Sequence, residues 1–371
     1  MPQPTIRLAS QHDLDQLLKL ELSAFAADRF TEDQIEYLLT RARSSVLLVE
    51  QSGRLLGAAY LLWRRGSKAG RLYSIAISPE AQGRGMGTLL LEECEKETAV
   101  RGRENLLLEV RVDNEAAVRF YQKHGFAITG RLPHYYEDGT DGLKMARRLP
   151  GNTPEQLKRR IPYYPQTLDF TCGPASLLMA MRHLDDTIPD NRIEELNLWK
   201  ESTLIYMTSG VGGAGPYGLA LAARRRGFSA RVLQSSDRTP FYASVRSDKK
   251  RAVIKLVHQD LKHRAEENGV ATAVFDFGLE DIISLMVRGM IPITLISTYR
   301  LTGDKTPHWV VITGFDRHKI YIHDSDAESY QPRLERARHI AIERSEFLRM
   351  NRYGKDVFRC AVFIGPRHAT R

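Results

Sequence analysis

The chain contains 371 residues, about the length of two domains that each bury a core of their own. Hydrophobic residues make up 42% and charged residues 27%, which matches soluble globular proteins and argues against wholesale disorder or a fibrous repeat. No run approaches the roughly 18 apolar residues of a membrane helix, and the opening MPQPTIRLAS lacks the basic and apolar regions of a signal peptide. These features predict a cytoplasmic protein without a membrane partner.

The formal net charge of +9 comes partly from short basic clusters. They are Lys158 to Arg160, Arg224 to Arg226 and Lys249 to Arg251. Such clusters attract polyanions through counterion release, but aromatic residues do not alternate with them as they do on a base-stacking surface. We therefore expect no specific nucleic-acid partner.

The cysteines predict free thiols. Cys94, Cys172 and Cys360 are three in number and cannot all pair. Their surroundings lack the CxxC or histidine spacing of zinc sites, so we expect no bound metal.

Strands and helices alternate in the first half of the chain. Apolar spacing and turn residues predict, in order, strand Thr5–Leu8, helix Leu14–Phe25, strand Ser45–Val49, a hairpin of Leu55–Trp63 with Gly70–Ile77, helix Thr88–Val100, strand Asn105–Val110 and helix Glu115–His124. This order predicts an α/β domain over residues 1–149.

The segment PGNTPEQLKRRIPYYP, rich in proline and charge, follows this domain. It predicts a linker over residues 150–162 and a second domain over residues 163–371. In that domain a helix begins at Cys172 and helical segments continue to about Gly227. The β-rich runs come late, at Ile291–Ser297, Trp309–Gly314, Lys319–His323 and Cys360–Ile364. Helices first and strands last predict an α+β domain.

A glycine-rich turn lies between the predicted strand ending at Ile77 and the helix beginning near Thr88. Its residues are Gln82, Gly83, Arg84, Gly85, Met86 and Gly87. Glycines let backbone N–H groups converge on an anion, and the helix dipole adds positive charge at the same point. The turn therefore suits a pyrophosphate, although an ordinary glycine turn has the same composition.

The motifs after the turn extend this pattern. They are Leu108-Glu109-Val110-Arg111, Asn114, Phe120-Tyr121-Gln122-Lys123-His124-Gly125-Phe126 and Tyr135-Tyr136-Glu137-Asp138-Gly139. Together with the turn, their order resembles the GNAT acetyltransferases over about residues 4–149, and most of all the ribosomal-protein alanine N-acetyltransferases. The resemblance implies a GNAT fold, acetyl-CoA as the cofactor and an amine as the acceptor.

The same resemblance implies roles for individual residues. The pantetheine of acetyl-CoA would contact Ile75, Ala76 and Ile77, and Asn114 would hydrogen-bond near the cofactor. The pyrophosphate would contact the turn and the residue after it, which are Gln82, Gly83, Arg84, Gly85, Met86, Gly87 and Thr88. By analogy Glu109 takes a proton from the amine through water, and Tyr121 returns one to the CoA thiolate. Taken singly, Glu109 also fits a surface carboxylate and Tyr121 a packed aromatic.

Cys172 begins the first predicted helix of the second domain, and a helix N-terminus stabilises the nucleophilic thiolate. Gln166, six residues earlier, offers an amide N–H suited to an oxyanion. His308 starts one apolar strand and Asp324 ends the next, so antiparallel pairing would bring them together. Cysteine, base and orienting carboxylate are the groups of cysteine acyl-transfer enzymes, whereas Cys172 or His308 alone also fits a packed core.

With Gln166, this pattern resembles the papain-like peptidases of family 39, which cleave bacteriocin precursors after a double-glycine leader. The resemblance covers about residues 161–365 and implies a papain-like fold with Cys172, His308 and Asp324 as catalytic triad. The chain departs from that family in having Ser325 after Asp324, where proline is usual. The basic stretch Gly227–Asp276 is expected to be an insertion.

Two further features are weaker candidates for chemistry. The segment Gly210 to Gly215 satisfies GxGxxG, but a predicted helix precedes it where a dinucleotide site needs a strand, so we expect a tight loop near the cleft. Alternation along its strand points His323 to the face opposite Asp324, which favours His308 as the base.

The sequence thus predicts an acetyl-CoA-dependent N-acetyltransferase acting on a peptide or protein amine, fused to a Cys-His-Asp domain that cleaves or binds a peptide. Such fusions resemble bacterial proteins. One alternative is a catalytically silent second domain that only binds peptides. Another is a cysteine-dependent transacylase or amide ligase. The acceptor amine and the oligomeric state stay open.

Overall fold

In the computed structural model the chain divides into two units, Met1–Pro154 and Glu155–Arg371. The structure describes residues 2–25, 28–150, 156–207, 210–303, 306–354 and 357–367. Among these residues no helix is both long enough and apolar enough to span a bilayer.

The later part of the predicted linker 150–162 belongs to the second unit. Leu157–Lys158 forms a short strand that pairs with Gly314 and Phe315. Ile161 is buried in the core of the second unit. Backbone pairing and burial therefore hold the chain from Leu157 onward, which proline and charge content does not predict.

The first unit consists of one sheet and four α-helices in its described residues. Its strands are β1 (Thr5–Leu8), β2 (Ser44–Gln51), β3 (Arg54–Trp63), β4 (Ala69–Ile77), β5 (Asn105–Arg111), β6 (Ala127–Leu132) and β7 (Gly142–Arg148). Its helices are α1 (Leu14–Ala24), α2 (Glu32–Thr40), α3 (Met86–Val100) and α4 (Glu115–Lys123). Helix α2 and strands β6 and β7 were not predicted from the sequence.

Helices cover both faces of this sheet. Along β2 the side chains are apolar on both sides, as expected for a strand buried between two layers. Leu47 packs in a core cluster with Leu90 of α3. Its neighbour Leu48 packs on the other face with Leu17 of α1. This two-sided burial confirms the α/β class predicted for the first domain.

The strands of the first sheet separate at one point. The strand order is β1-β2-β3-β4-β5-β7-β6, and β4 and β5 are its one parallel pair. Their pairing runs from Ala69 with Asn105 to Leu72 with Leu108. Beyond it, β4 continues against β3 and β5 continues against β7. An open interval therefore lies between the C-terminal halves of β4 and β5, next to the turn that starts α3.

The second unit contains a larger sheet and the remaining helices. Its strands are β8 (Leu157–Lys158), β9 (Tyr206–Met207), β10 (Gly210–Val211), β11 (Phe228–Gln234), β12 (Ala271–Val274), β13 (Ile291–Ser297), β14 (Pro307–Phe315), β15 (Lys319–His323), β16 (Ile340–Glu343) and β17 (Cys360–Arg367). Its helices are α5 (Cys172–Leu184), α6 (Arg192–Ser202), α7 (Pro216–Arg225), α8 (Asp248–Glu267), α9 (Leu279–Val287), α10 (Tyr299–Thr302) and α11 (Arg344–Met350).

The stretch Gly227–Asp276, which was expected to be an insertion relative to the resembled family, contributes strands to the sheet of this unit. The sheet order is β12-β11-β17-β13-β14-β15-β16, so β11 and β12 lie within it, and β8 pairs with β14. Helix α8 connects β11 to β12, which pair in parallel, and buries Ile254 and Leu261 in the core. Helices therefore do not all precede strands. Strand β11 has seven residues, of which Arg231 is charged, and its pairing with β17 stabilises it.

Antiparallel pairing places the start of β14 and the end of β15 at the same edge of this sheet. His308 is the second residue of β14, and Asp324 directly follows β15. Helix α5 packs against β14, and Ser176 Oγ donates to Trp309 O at 3.1 Å. The fold therefore gathers the beginning of α5, the beginning of β14 and the loop after β15.

Candidate active sites

The turn before α3 leaves room for an anion. Gly85, the N-cap of α3, has φ of 82° and Gly83 has φ of 71°, both in the left-handed region that favours glycine. A Cβ at either position would meet nothing within 4 Å, so the space above the turn is open. The N–H groups of the first helical turn lack intrahelical acceptors and lie at the positive end of the helix dipole. These features fit a pyrophosphate.

The open interval between β4 and β5 supplies a second binding surface. Among the described residues, Ile75, Ala76 and Ile77 pair with β3 but with no residue of β5. Their remaining backbone groups form a free strand edge, which can hydrogen-bond an extended ligand that carries amide groups. The edge leads towards the glycine turn, so one elongated ligand can contact both.

Two predicted site residues lie at α4. Asn114 is the N-cap, and its Oδ1 accepts a hydrogen bond from Ala117 N at 3.0 Å. Tyr121 packs in the core cluster, with its ring 5.6 Å from that of Phe126. Burial raises the pKa of Tyr121, so its hydroxyl keeps its proton at neutral pH. Asn114 therefore has a structural role whatever it does for a ligand, and Tyr121 is available as a proton donor.

Glu109 is held by an arginine that the sequence analysis did not single out. Arg71 Nε donates to Glu109 Oε2 at 2.8 Å, and Arg71 Nη2 donates to Tyr135 Oη at 3.0 Å. The guanidinium also lies 5.1 Å from the ring centre of Tyr73. Arg71 thus joins β4, β5 and the loop after β6 beside the open interval. Glu109 and Arg71 are 38 residues apart, and no short-range pattern marks the pair.

Cys172 begins α5, as the sequence predicts, and is 8% exposed. The next residue, Gly173, lets the loop from Gly210 to Gly215 approach. A Cβ on Gly173 would lie 2.8 Å from the Cβ of Ala214 and 3.2 Å from Trp309. The GxGxxG segment is therefore a tight loop against the start of α5, with the helix α6 rather than a long strand before it.

His308 connects Cys172 to Asp324. His308 Nε2 lies 2.7 Å from Asp324 Oδ1, and the Cys172 side chain lies close enough to the imidazole to raise its pKa. Because Asp324 occupies Nε2, Nδ1 is the nitrogen left for the thiol. Burial by itself would lower the pKa of His308, but the charge of Asp324 and the contact with Cys172 raise it well above its usual range. The imidazole therefore lies between the sulfur and the carboxylate, hydrogen-bonded to the carboxylate and adjacent to the sulfur.

Tyrosines and the backbone fix the carboxylate of Asp324. Tyr330 Oη donates to Asp324 Oδ2 at 2.8 Å, Asp326 N donates to Oδ1 at 2.9 Å, and Tyr163 Oη donates to Asp324 O at 2.9 Å. Burial would raise the pKa of Asp324, but His308, the backbone N–H of Asp326 and the hydroxyl of Tyr330 lower it. Asp324 is therefore a charged, oriented carboxylate.

A buried glutamate organises the segment that carries Gln166. Glu195 of α6 accepts hydrogen bonds from Tyr164 Oη at 3.0 Å, Thr167 N at 2.9 Å and Thr171 Oγ1 at 2.5 Å. These bonds hold the chain on both sides of Gln166 as it enters α5. Gln166 itself donates from Nε2 to Leu168 O at 3.2 Å.

His323 does not join this series. Its Nε2 bonds Ile161 O at 3.1 Å, and its Nδ1 accepts from His339 N at 2.9 Å. Burial lowers the pKa of His323 to about 4, so the ring is neutral at neutral pH. Within the described residues, no three His, Cys, Asp or Glu side chains converge as metal ligands would.

Comparisons with known proteins cover both units. Residues 12–126 match the Acetyltransferase (GNAT) family. The first unit is similar to an uncharacterized N-acetyltransferase of Methanocaldococcus jannaschii, at 33% identity over 39% of this chain and 92% of the relative. It is also similar to an N-alpha-acetyltransferase of Sulfurisphaera tokodaii, at 32% identity over 39% and 92%. A [ribosomal protein bS18]-alanine N-acetyltransferase of Escherichia coli is 36% identical over 26% and 63%.

Residues 161–365, more than half of the chain, match the Peptidase_C39 like family. The chain belongs to the GNAT and Peptidase_C39 like families. Its first unit, hereafter the GNAT domain, is that of an N-acetyltransferase, a family that uses acetyl-CoA. Its second unit, hereafter the C39-like domain, is of mixed α and β content and belongs to a family that resembles C39 peptidases. Peptidase activity and a papain-like fold stay predictions.

The C39-like domain brings Cys172, His308 and Asp324 together, and the GNAT domain brings Glu109 and the glycine turn to the two sides of one open interval. Sequence reasoning missed the residues that hold these groups in place. They are Arg71, Glu195, Tyr163 and Tyr330. Each acts across a long range or from an irregular loop, where neither periodicity nor motif spacing gives a signal.

Proposed function

We propose that this protein transfers the acetyl group of acetyl-CoA to a peptide or protein amine, and that its C39-like domain uses Cys172 to attack a peptide carbonyl. The observation that carries the second half is the arrangement of His308 between Asp324, to which it hydrogen-bonds, and Cys172. The first half rests on the GNAT match and on the open interval beside the glycine turn.

In the GNAT domain, acetyl-CoA supplies an acetyl thioester for attack by the amine. The backbone of Ile75 to Ile77 holds the pantetheine, and the N–H groups from Gly83 to Thr88 hold the pyrophosphate. The amine arrives as an ammonium ion, and the carboxylate of Glu109 takes its proton through a water molecule. Arg71 keeps that carboxylate in place. Tyr121, whose hydroxyl is protonated at neutral pH, gives its proton to the departing thiolate.

The class of acceptor follows from the relatives. One is named an N-alpha-acetyltransferase and another a [ribosomal protein bS18]-alanine N-acetyltransferase. Both names describe transfer to an α-amine of a protein chain. We infer that the acceptor here is the N-terminal amine of a peptide or protein.

Tyr121→Phe tests the proton donor. Loss of one donor used mainly in the transition state should lower kcat for acetyl transfer about 10²-fold and leave the KM for acetyl-CoA nearly unchanged. Release of CoA, with an alanine-starting peptide as acceptor, measures both quantities. Tyr37→Phe, at an exposed tyrosine of α2, is the matched control and should keep full activity. Wild-type kcat in Tyr121→Phe would reduce Tyr121 to a packing residue.

In the C39-like domain, the Cys172 thiolate adds to a peptide carbonyl carbon, and the carbonyl oxygen becomes an oxyanion. Gln166 donates an N–H to that oxygen. His308 protonates the leaving amine, which leaves an acyl group on Cys172, and Asp324 keeps the imidazole oriented throughout. Water then releases the acyl group, whereas an amine in its place would make the domain a transacylase.

Mass spectrometry of peptides incubated with the full chain and acetyl-CoA separates the possible outcomes. Gain of one acetyl group reports transfer, backbone cleavage reports hydrolysis, and joining of two peptides reports aminolysis. Cys172→Ala should abolish cleavage or joining and retain acetylation. Retained cleavage in Cys172→Ala would overturn the nucleophile, and binding without any Cys172-dependent product would favour a silent peptide-binding domain.

A further inference from the structure

The residue after Asp324 contacts the predicted oxyanion donor. Ser325 is fully buried, and its Oγ donates to Gln166 Oε1 at 2.9 Å. Its carbonyl oxygen accepts the backbone N–H of Gln166, also at 2.9 Å. Two hydrogen bonds in opposite directions therefore join one pair of residues that are 159 positions apart in the chain.

These contacts fix which end of the Gln166 amide faces which way. The carbonyl of Leu168 can only accept, so it marks the NH2 end of the amide. The Ser325 hydroxyl then donates to the oxygen end. One N–H of Nε2 is used by Leu168, and the second stays available for another acceptor. A rotated amide would present its oxygen instead, and that oxygen would repel an oxyanion.

We propose that Ser325 is a positioning residue that holds the Gln166 amide with an N–H towards the oxyanion formed at Cys172. This inference rests on the proposed acyl transfer at Cys172. It adds that one loop sets both halves of the site: Asp324 orients the base through His308, and the next residue orients the oxyanion donor. The hydroxyl of Ser325 bonds Gln166, so the residue acts on the site through that amide.

Two reagents that both react with Cys172 separate the positioning role of Ser325 from a general change in the reactivity of the sulfur. With p-nitrophenyl acetate, the Cys172 sulfur bonds to the acetyl carbon, an oxyanion forms, and p-nitrophenolate leaves as the carbonyl is restored. With iodoacetamide, sulfur displaces iodide in one step and no oxyanion forms. The ratio of the two second-order rate constants therefore reports oxyanion stabilisation and cancels changes in thiolate reactivity.

The experiment uses the full chain, with reaction at residues other than Cys172 subtracted through Cys172→Ala. Gln166→Ala removes the donor and should lower the ratio about 10²-fold. Ser325→Ala leaves the donor misoriented and should lower the ratio by roughly tenfold, because part of the amide population turns away. Ser325→Thr retains the hydroxyl and should keep most of the wild-type ratio. The iodoacetamide rate should be unchanged in all three variants.

The outcomes distinguish this inference from the function on which it rests. A reduced ratio in Gln166→Ala with a wild-type ratio in Ser325→Ala overturns the role of Ser325 and leaves the acyl-transfer site intact. Equal loss of both rates in Ser325→Ala, or no recovery in Ser325→Thr, also overturns it, because the residue would then be structural. A wild-type ratio in Gln166→Ala, or a Cys172 inert to both reagents, refutes the proposed acyl transfer itself.

Discussion

His308 uses its two ring nitrogens for different partners. Nε2 bonds the carboxylate of Asp324 at 2.7 Å, which leaves Nδ1 to the sulfur of Cys172. Burial opposes a charge on His308, but Asp324 and Cys172 outweigh it and raise the pKa well above its usual range. The structure therefore favours the charged form of the imidazole, with Asp324 and Cys172 as its neighbours.

At the residue scale, Cys172 should be the cysteine that iodoacetamide alkylates fastest near neutral pH. Cys94 and Cys360 are fully buried in apolar clusters, where reagent access is blocked. His308→Ala should slow the alkylation of Cys172 by about tenfold or more, because the cationic partner is lost. Asp324→Asn should slow it less, since the imidazole remains. Timed peptide mapping measures each rate.

The control for this series is His183→Ala. His183 lies near the other end of α5, where its Nδ1 bonds Arg160 O, and its removal should leave the alkylation rate of Cys172 unchanged. Labelling of Cys172 no faster than Cys94, or an unaltered rate in His308→Ala, would show that the triad is wrong. A peptide-binding role would then describe the C39-like domain better.

At the scale of elements, α3 combines a buried face with a free N-terminus. Leu90, Leu91 and Cys94 pack against the sheet and fix the helix direction. Gly83 and Gly85 keep the approach to its first turn open. The same element therefore anchors the fold at one end and presents donors for a pyrophosphate at the other.

Acetyl-CoA should raise the Tm of the GNAT domain in the full chain, because a ligand that binds only the folded state stabilises it by mass action. Gly85→Glu should abolish this shift, since a carboxylate would occupy and repel the pyrophosphate position. Gly66→Glu is the matched control: Gly66 also has positive φ and open space around it, but lies in the turn between β3 and β4. In Gly66→Glu, acetyl-CoA should still raise the Tm. A persisting shift in Gly85→Glu would remove the cofactor assignment.

At the scale of the whole molecule, buried histidines link the stability of the second unit to pH. The C39-like domain buries His323 and His258, and burial lowers the pKa of each to about 4. The folded chain buries both rings in the neutral form. Their contribution to the free energy of unfolding is therefore present above the usual pKa of 6.5 and is lost as the pH falls towards 4. His308 has a raised pKa, and its contribution stays constant below 6.5.

The free energy of unfolding of the C39-like domain should therefore decrease between pH 6.5 and about 4. His323→Gln should make the decrease smaller, and the contribution of His258 should remain. Urea unfolding of the full chain at several pH values measures this, with Trp63→Phe as background so that the fluorescence of Trp199 and Trp309 reports the second unit alone. The slope with pH is the test, because His323→Gln also loses two hydrogen bonds. An identical slope in the variant contradicts the assignment.

Much of this organisation could be read from local sequence signals. Alternation, turns and helix-start residues within short stretches predict the hairpin of β3 and β4 and the start of α5 at Cys172. They also predict the approach of His308 to Asp324. The β14–β15 pair is contiguous, so its register depends on one turn. The GNAT and C39-like memberships likewise follow from motifs in chain order.

Only the tertiary structure decided which side chains hold these groups in place. Arg71 reaches Glu109 because β4 and β5 are neighbours, Glu195 reaches Thr167 from another helix, and Ser325 reaches Gln166 across 159 positions. It also decided that β11 and β12 join the sheet, since the stability of a strand depends on the partners that it pairs with and packs against. Periodicity reports which face of an element is buried, but contact between distant polar side chains depends on how those elements pack.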